Sequence, residues 1–245
     1  MTAPDTARAR YEREGESTER YGSESPWDAR YHRRRFGVVA AMLSDALRPG
    51  DRFLDVGCGT GEYLAEGLRN GSTSIGTDLS LTYCARARRQ GGEVVQADGA
   101  RLPFADRSID VVLCSEVIEH VDPAVASLLV RELARVCSRS LIITTPNESA
   151  MARRITRRLA PAKMAELDAS VGHINLLTFT GLRDLVSLDG WMIAEQRTVH
   201  IAPPVLGEAL HLPRWIQPVA GLGERAAERL APSAGNVSLV RLRRH

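Results

Sequence analysis

Between Arg52 and Pro146 the chain repeats one pattern, a short apolar run followed by a helical segment. "RFLDVG" leads into "GEYLAEGLRN", and "TSIGTDL" into "SLTYCARARRQ". "EVVQAD", "SIDVVLCS" and "SLIITTP" continue the series, the last two separated by a helix that opens at Asp122-Pro123. The longest runs do not alternate apolar with polar residues. A strand that is apolar on both sides needs cover on both sides, which a parallel sheet between two helix layers supplies. The repetition therefore predicts a doubly wound α/β fold. "WMIAEQRTVHI" and "NVSLVRLRRH" read as further strands. The expected sheet is seven-stranded and mostly parallel, with helices on both faces. The helix after Asp122 is expected to bury Val125, Leu128, Leu129, Leu133 and Val136 on one face.

A length of 245 residues suits one such domain with additions, and 44% hydrophobic with 25% charged residues is a globular composition. The net charge of +2 gives no bulk argument for nucleic acid. "HRRRF" (32–36) and "ARRITRR" (152–158) are local basic runs, read as solvated faces or as contacts to an anionic acceptor. Cys58, Cys84, Cys114 and Cys137 form no C-x-x-C pair, so free thiols in a reducing compartment are expected. "MTAPDTARAR" lacks the apolar core of a signal peptide. No apolar run approaches the roughly 20 residues needed to span a bilayer. The expected location is cytoplasmic.

Residues 1–35 form a polar segment and the start of a helix, and 36–245 form the main domain. Ser25-Pro26-Trp27-Asp28 opens that helix as an S-x-x-D box, and Phe36, Val39, Leu43 and Leu47 follow at helical spacing. Trp27 and Tyr31 are candidate lid residues or ordinary packing residues. Residues 146–180 interrupt the strand–helix repeat as a candidate lid or acceptor segment with a basic helix. There Asn147 either lines a pocket or turns the chain. Residues 201–223 are apolar and rich in proline, ahead of a helix in "ERAAERLAPSAG". They carry Trp215, Val219 and Leu222, more apolar surface than a loop requires, and suit a pocket cover, a dimer face or a peripheral membrane contact.

"LDVGCGTG", residues 54–61, is the most specific motif. Its glycines allow positive φ and close approach of a ligand, and the helix behind it offers N–H groups to an anion. The spacing is G-x-G-x-G, not the G-x-G-x-x-G of dinucleotide enzymes. An acid two residues before the first glycine suits an ammonium group. The chain resembles a class I S-adenosylmethionine-dependent methyltransferase, of the type 11 or ubiquinone-biosynthesis O-methyltransferase kind. The matched stretches are "FLDVGCGTG", "SIGTDLS" and "QADGARLPFADRSIDVVLCSEVIEH". The resemblance implies S-adenosyl-L-methionine as cofactor and S-adenosyl-L-homocysteine as product. It implies cofactor contacts from Asp55, Gly57, Cys58, Gly59, Gly61, Asp78, Leu79, Asp98, Gly99, Ala100 and Ser115. Asp78 would hold the ribose hydroxyls and Asp98 would face the adenine amino group. Read alone, Asp78 can equally cap the helix near Ser80, and Asp98 can be a turn residue.

"CSEVIEHVDP" leaves the carboxyl end of the fourth strand, where ligands lie in this architecture. If it forms a helical turn, Glu116, Glu119 and His120 share a face. His120 then acts as a general base oriented by a glutamate. Alternatively the carboxylates and imidazole hold a divalent cation, or they only cap and pack the turn. "GHINLLTFT" adds His173. The pattern also resembles magnesium-dependent 2′-O-methyltransferases of RNA 3′ ends, which would make Glu116, Glu119, His120 and His173 ligands to Mg2+. The apolar "INLL" departs from that type, so nucleic acid is not the expected partner. The expected reaction is O-methylation of a hydroxyl on a small molecule: a secondary metabolite, quinone precursor or sugar-bearing compound. N- or carboxyl-methylation and a non-catalytic cofactor-binding module remain alternatives.

Overall fold

The computed structural model describes residues 26–159, 161–162, 164–165, 172–200 and 213–245. Helix α1 (Pro26–Ala46) leads into β1 (Arg52–Val56), α2 (Glu62–Arg69), β2 (Thr73–Asp78), α3 (Leu81–Ala87), β3 (Glu93–Gln96) and β4 (Ile109–Ser115). A 3-10 turn at Ile118–His120 precedes α4 (Pro123–Val136), β5 (Cys137–Pro146), α5 (Met151–Leu159), α6 (Phe179–Leu185) and β6 (Trp191–Val199). Helix α7 (Gln217–Leu230) and β7 (Val237–Arg244) close the chain. The sheet has seven strands in the order β3-β2-β1-β4-β5-β7-β6. β1 to β5 pair in parallel, while β7 runs antiparallel to β5 and β6.

Successive strand residues feed opposite cores, which is why the central strands are apolar throughout. Val112, Cys114, Leu141 and Ile143 join Leu129, Val130 and Leu133 of α4 on one face. Val111, Leu113 and Ile142 join Val39 and Leu43 of α1, Leu64 of α2 and Cys84 of α3 on the other. All four cysteines are buried free thiols.

Two local expectations are corrected. On α4, Val125 and Leu128 are exposed, while Ala126 and Val130 are buried beside Leu129, Leu133 and Val136. The inward stripe is set by where the sheet lies, and small Ala126 lets the helix come close to it. The last helix starts at Gln217, not near Glu224, with Pro218 in its first turn, where a missing N–H costs nothing. Helix α1 runs without a break through residues 35 and 36. Among the described residues, no helix is long and apolar enough to cross a membrane.

Candidate active site

The glycine loop sits at the carboxyl end of β1 and turns into α2. Gly57, Gly59 and Gly61 have φ of 74°, 50° and 86°. At Gly57 a side chain is excluded by space as well, because an added Cβ would lie 2.4 Å from Val117 Cγ2. The loop uses its own amides. Gly57 and Cys58 N–H donate to Thr77 O at 2.7 and 2.9 Å, and Gly61 N–H to Cys58 O at 2.8 Å. Gly59 N–H donates to Asp78 Oδ2 at 3.0 Å. These N–H groups therefore shape the loop instead of meeting a ligand anion.

Asp78 binds the loop and, through Oδ1, the Ser80 N–H at 2.9 Å. The capping role expected as an alternative falls to Ser80, whose hydroxyl accepts from Tyr83 N–H. Asp98 does make the turn read from the sequence, with Oδ1 accepting from Ala100 N–H at 2.9 Å, and it also lines the cavity with Gly99 and Ala100. Asp55 is 1% exposed, and its Oδ2 has no hydrogen-bond partner. Burial, then the charges of Asp78 and Glu62, pushes its carboxyl up to about 8. A buried carboxylate oxygen left without a donor is an expensive feature unless a ligand cation completes it.

A cavity of about 1020 Å3 joins this end to the "EVIEH" stretch. It is lined by Asp55, Gly57, Cys58, Gly59, Asp78, Leu79, Asp98, Gly99, Ala100 and Ser115 at one end and by Glu119, His120 and His173 at the other. Gly61 stands behind the loop as the residue that opens α2.

Glu116, Glu119 and His120 do not share one helical face. Glu116 has φ 58°, so the chain reverses before the 3-10 turn. Its carboxylate meets Arg35 Nη1 and Thr144 Oγ1, each at 3.0 Å. This removes Glu116 from the expected ligand set. Glu119 is fully buried and accepts from Thr145 Oγ1 at 3.1 Å through Oε2. Burial, then the neighbouring Glu116 charge, holds its carboxyl well above the usual carboxylate range. Its Oε1 has no hydrogen bond and lies 3.9 Å from His120 Nε2. His120 Nδ1 is 3.3 Å from Gly172 O, and the His120 and His173 rings are 5.0 Å apart. One ligand atom from each of Glu119, His120 and His173 falls within 4.8 Å of the others.

Backbone bonds hold that cluster together. Ile174 and Asn175 N–H donate to Glu119 O at 2.9 and 3.0 Å, and Asn175 Nδ2 donates to Ile118 O at 3.0 Å. Asn175 was invisible as a site residue in the sequence, as were Thr144 and Thr145, because nothing local marks their long-range partners. Tyr31, read as a lid candidate, lines the cavity, and burial followed by the Glu116 charge raises its hydroxyl. The Trp27 side chain lies outside the described residues. Asn147 turns the chain, its amide donating to Ser233 O and Gly235 O at 3.0 and 2.8 Å, while Pro146 lines the cavity.

The strand order, the glycine loop after β1 and the acids at the ends of β2 and β3 are those of the class I methyltransferase fold. Solved structures agree on the fold. Magnesium protoporphyrin IX methyltransferase from Synechocystis PCC 6803 superposes with a TM-score of 0.66 at 17% identity, covering 99% of each chain. Geranyl diphosphate C-methyltransferase from Streptomyces coelicolor gives 0.65 at 17% identity, over 100% of this chain and 99% of that one. Residues 54–143 match the model of the methyltransferase domain family (type 11). Among curated relatives, a demethylmenaquinone methyltransferase of Beutenbergia cavernae is 41% identical over 96 residues, 38% of this chain and 39% of that protein. An uncharacterized methyltransferase of Mycobacterium sp. (strain JLS) is 40% identical over 105 residues, 39% of this chain and 42% of that protein. The chain thus spans about two fifths of the length of these curated relatives.

Proposed function

We propose that this chain binds S-adenosylmethionine at the glycine-loop end of the cavity and methylates a hydroxyl oxygen of a small molecule seated beside Glu119, His120 and His173. The observation that carries this reading is the single cavity that holds both sets of residues. Bound there, the cofactor supplies an electrophilic methyl and a neutral thioether leaving group. Asp55 offers its unpartnered oxygen to the ammonium, Asp78 its carboxylate to the ribose hydroxyls, and Asp98 an oxygen to the adenine edge. The methyl carbon leaves sulfur as the acceptor oxygen attacks, and sulfur keeps the electron pair. In the tautomer with its proton on Nδ1, toward Gly172 O, His120 acts through Nε2. It takes the acceptor proton there, facing Glu119 Oε1. The cavity positions the two reactants, which is most of what an activated methyl donor requires. The similarity to demethylmenaquinone methyltransferases supports a quinone-related acceptor.

The 3.9 Å gap between His120 Nε2 and Glu119 Oε1 favours one second reading. It is too long for a hydrogen bond and suits two ligands that share an ion at about 2.1 Å each. Glu119, His120 and His173 would hold it. Two imidazoles and one carboxylate suit manganese, iron or zinc better than magnesium, which prefers oxygen ligands.

The test is transfer of a labelled methyl group to a panel of catechols, quinols and amines, by protein stripped with chelator and then supplied with Mg2+, Mn2+ or Zn2+. Metal-independent methylation of hydroxyls supports the base reading, and activity that returns only with added ion supports the second. S-adenosylhomocysteine binding by calorimetry checks the cofactor end separately. No binding would overturn the proposal.

A further inference from the structure

Helix α7 is turned inside out. At about 100° per residue, Val219, Leu222, Ala226 and Leu230 fall in one stripe about 80° wide. Trp215, in the 3-10 turn just ahead, adds to the apolar surface at this end. In a helix packed on a domain such a stripe faces the core. Here it faces outward: Trp215 is 73%, Val219 62%, Leu222 63% and Leu230 86% exposed.

The opposite edge of α7 does the anchoring. Glu224 is 6% exposed and accepts from both terminal guanidinium nitrogens of Arg30, at 2.7 and 2.5 Å. Arg34 reaches Glu228 at 2.5 Å and Glu224 at 3.2 Å. Both acids of the helix are therefore spent on α1. Arg225 and Arg229 lie along one side of the apolar stripe and are exposed. What the helix shows to solvent is apolar and positive.

We infer that α7 docks the protein onto an anionic lipid surface, with Trp215, Val219 and Leu222 entering the interface and Arg225 and Arg229 meeting lipid phosphates. An apolar face bordered by arginine is the signature of an in-plane interfacial helix. A second copy of the chain fits less well. A two-fold helix pair would bring the arginines of both copies together, with Glu224 and Glu228 turned away. Docking also bears on the site. Helix α1 gives Arg30 and Arg34 to α7 and lines the cavity with Tyr31, Arg33 and Arg35. An apolar acceptor drawn from a membrane would thus meet the cavity through a helix braced against the docked one.

The experiment is sedimentation of the full chain with vesicles of phosphatidylcholine alone or mixed with phosphatidylglycerol. Binding to the mixed vesicles, its absence on neutral ones, and its loss in Leu222→Glu are expected. Reversing Arg225 and Arg229 to glutamate should weaken binding at least about fivefold per site. Circular dichroism and S-adenosylhomocysteine affinity must stay at wild-type values in these variants, so the result stands apart from the methyl-transfer proposal. Absence of binding to the mixed vesicles, or equal binding to both kinds, would overturn the inference. So would a dimer in sedimentation equilibrium that Leu222→Glu splits.

Discussion

Replacing Asp55 by asparagine separates its charge from its shape. In the ligand-free protein its carboxyl is pushed up to about 8, first by burial and then by Asp78 and Glu62. An ordinary aspartate titrates near 3.9. The folded state therefore holds this proton more tightly than the unfolded chain. The stability that follows is fully present below about pH 4 and falls as pH rises toward about 8, at up to about 1.4 kcal/mol per unit. An ammonium beside Asp55 requires the carboxylate, so binding below about pH 8 releases the proton. Affinity for S-adenosylhomocysteine should then rise by up to about tenfold per unit, or roughly fiftyfold from about pH 6 to about pH 8. Calorimetric titrations in buffers of different ionisation enthalpy count the released protons. Asp55→Asn should bind more weakly at pH 8, lose the pH slope, and be at least as stable as wild type without ligand at that pH. A wild-type affinity flat across this window, or an unchanged slope in the variant, would refute the pairing of Asp55 with a cation.

Asp78→Ala loses the bonds to Gly59 and Ser80 N–H as well as the proposed ribose contacts, and should weaken S-adenosylhomocysteine by about 2–4 kcal/mol in calorimetry. Gly57→Ala forces a side chain into positive φ and against Val117. It should cost about 2–4 kcal/mol in chemical denaturation, and adding Val117→Ala should recover the packing share and leave the backbone share. His120→Ala should cut turnover by about 10²–10⁴ while cofactor affinity stays unchanged. Normal turnover with an accepted substrate would remove His120 from the chemistry.

The glycine loop, Asp78 and Asp98 were legible because each belongs to a short run around a strand end, where local pattern and function coincide. Glu116 was misplaced because a helical turn was assumed where the backbone takes φ 58°. Its carboxylate is claimed by Arg35, 81 positions earlier. The bonds that shape the loop were not legible for a related reason. The acceptor for Gly57 and Cys58 N–H, Thr77 O, comes from the neighbouring strand and appears only once β1 and β2 pair.

The sequence alone determined the layered α/β fold and the cofactor loop. Unalternating apolar strands have only one way to be covered, and a G-x-G-x-G turn carries its backbone geometry with it. Tertiary structure decided the rest. It brought His173 to Glu119 and His120, spent Glu224 and Glu228 on α1, and left the apolar stripe of α7 facing out. Periodicity shows that a helix has an apolar face. Which way that face points depends on ion pairs between residues 194 positions apart, and no local pattern holds that information.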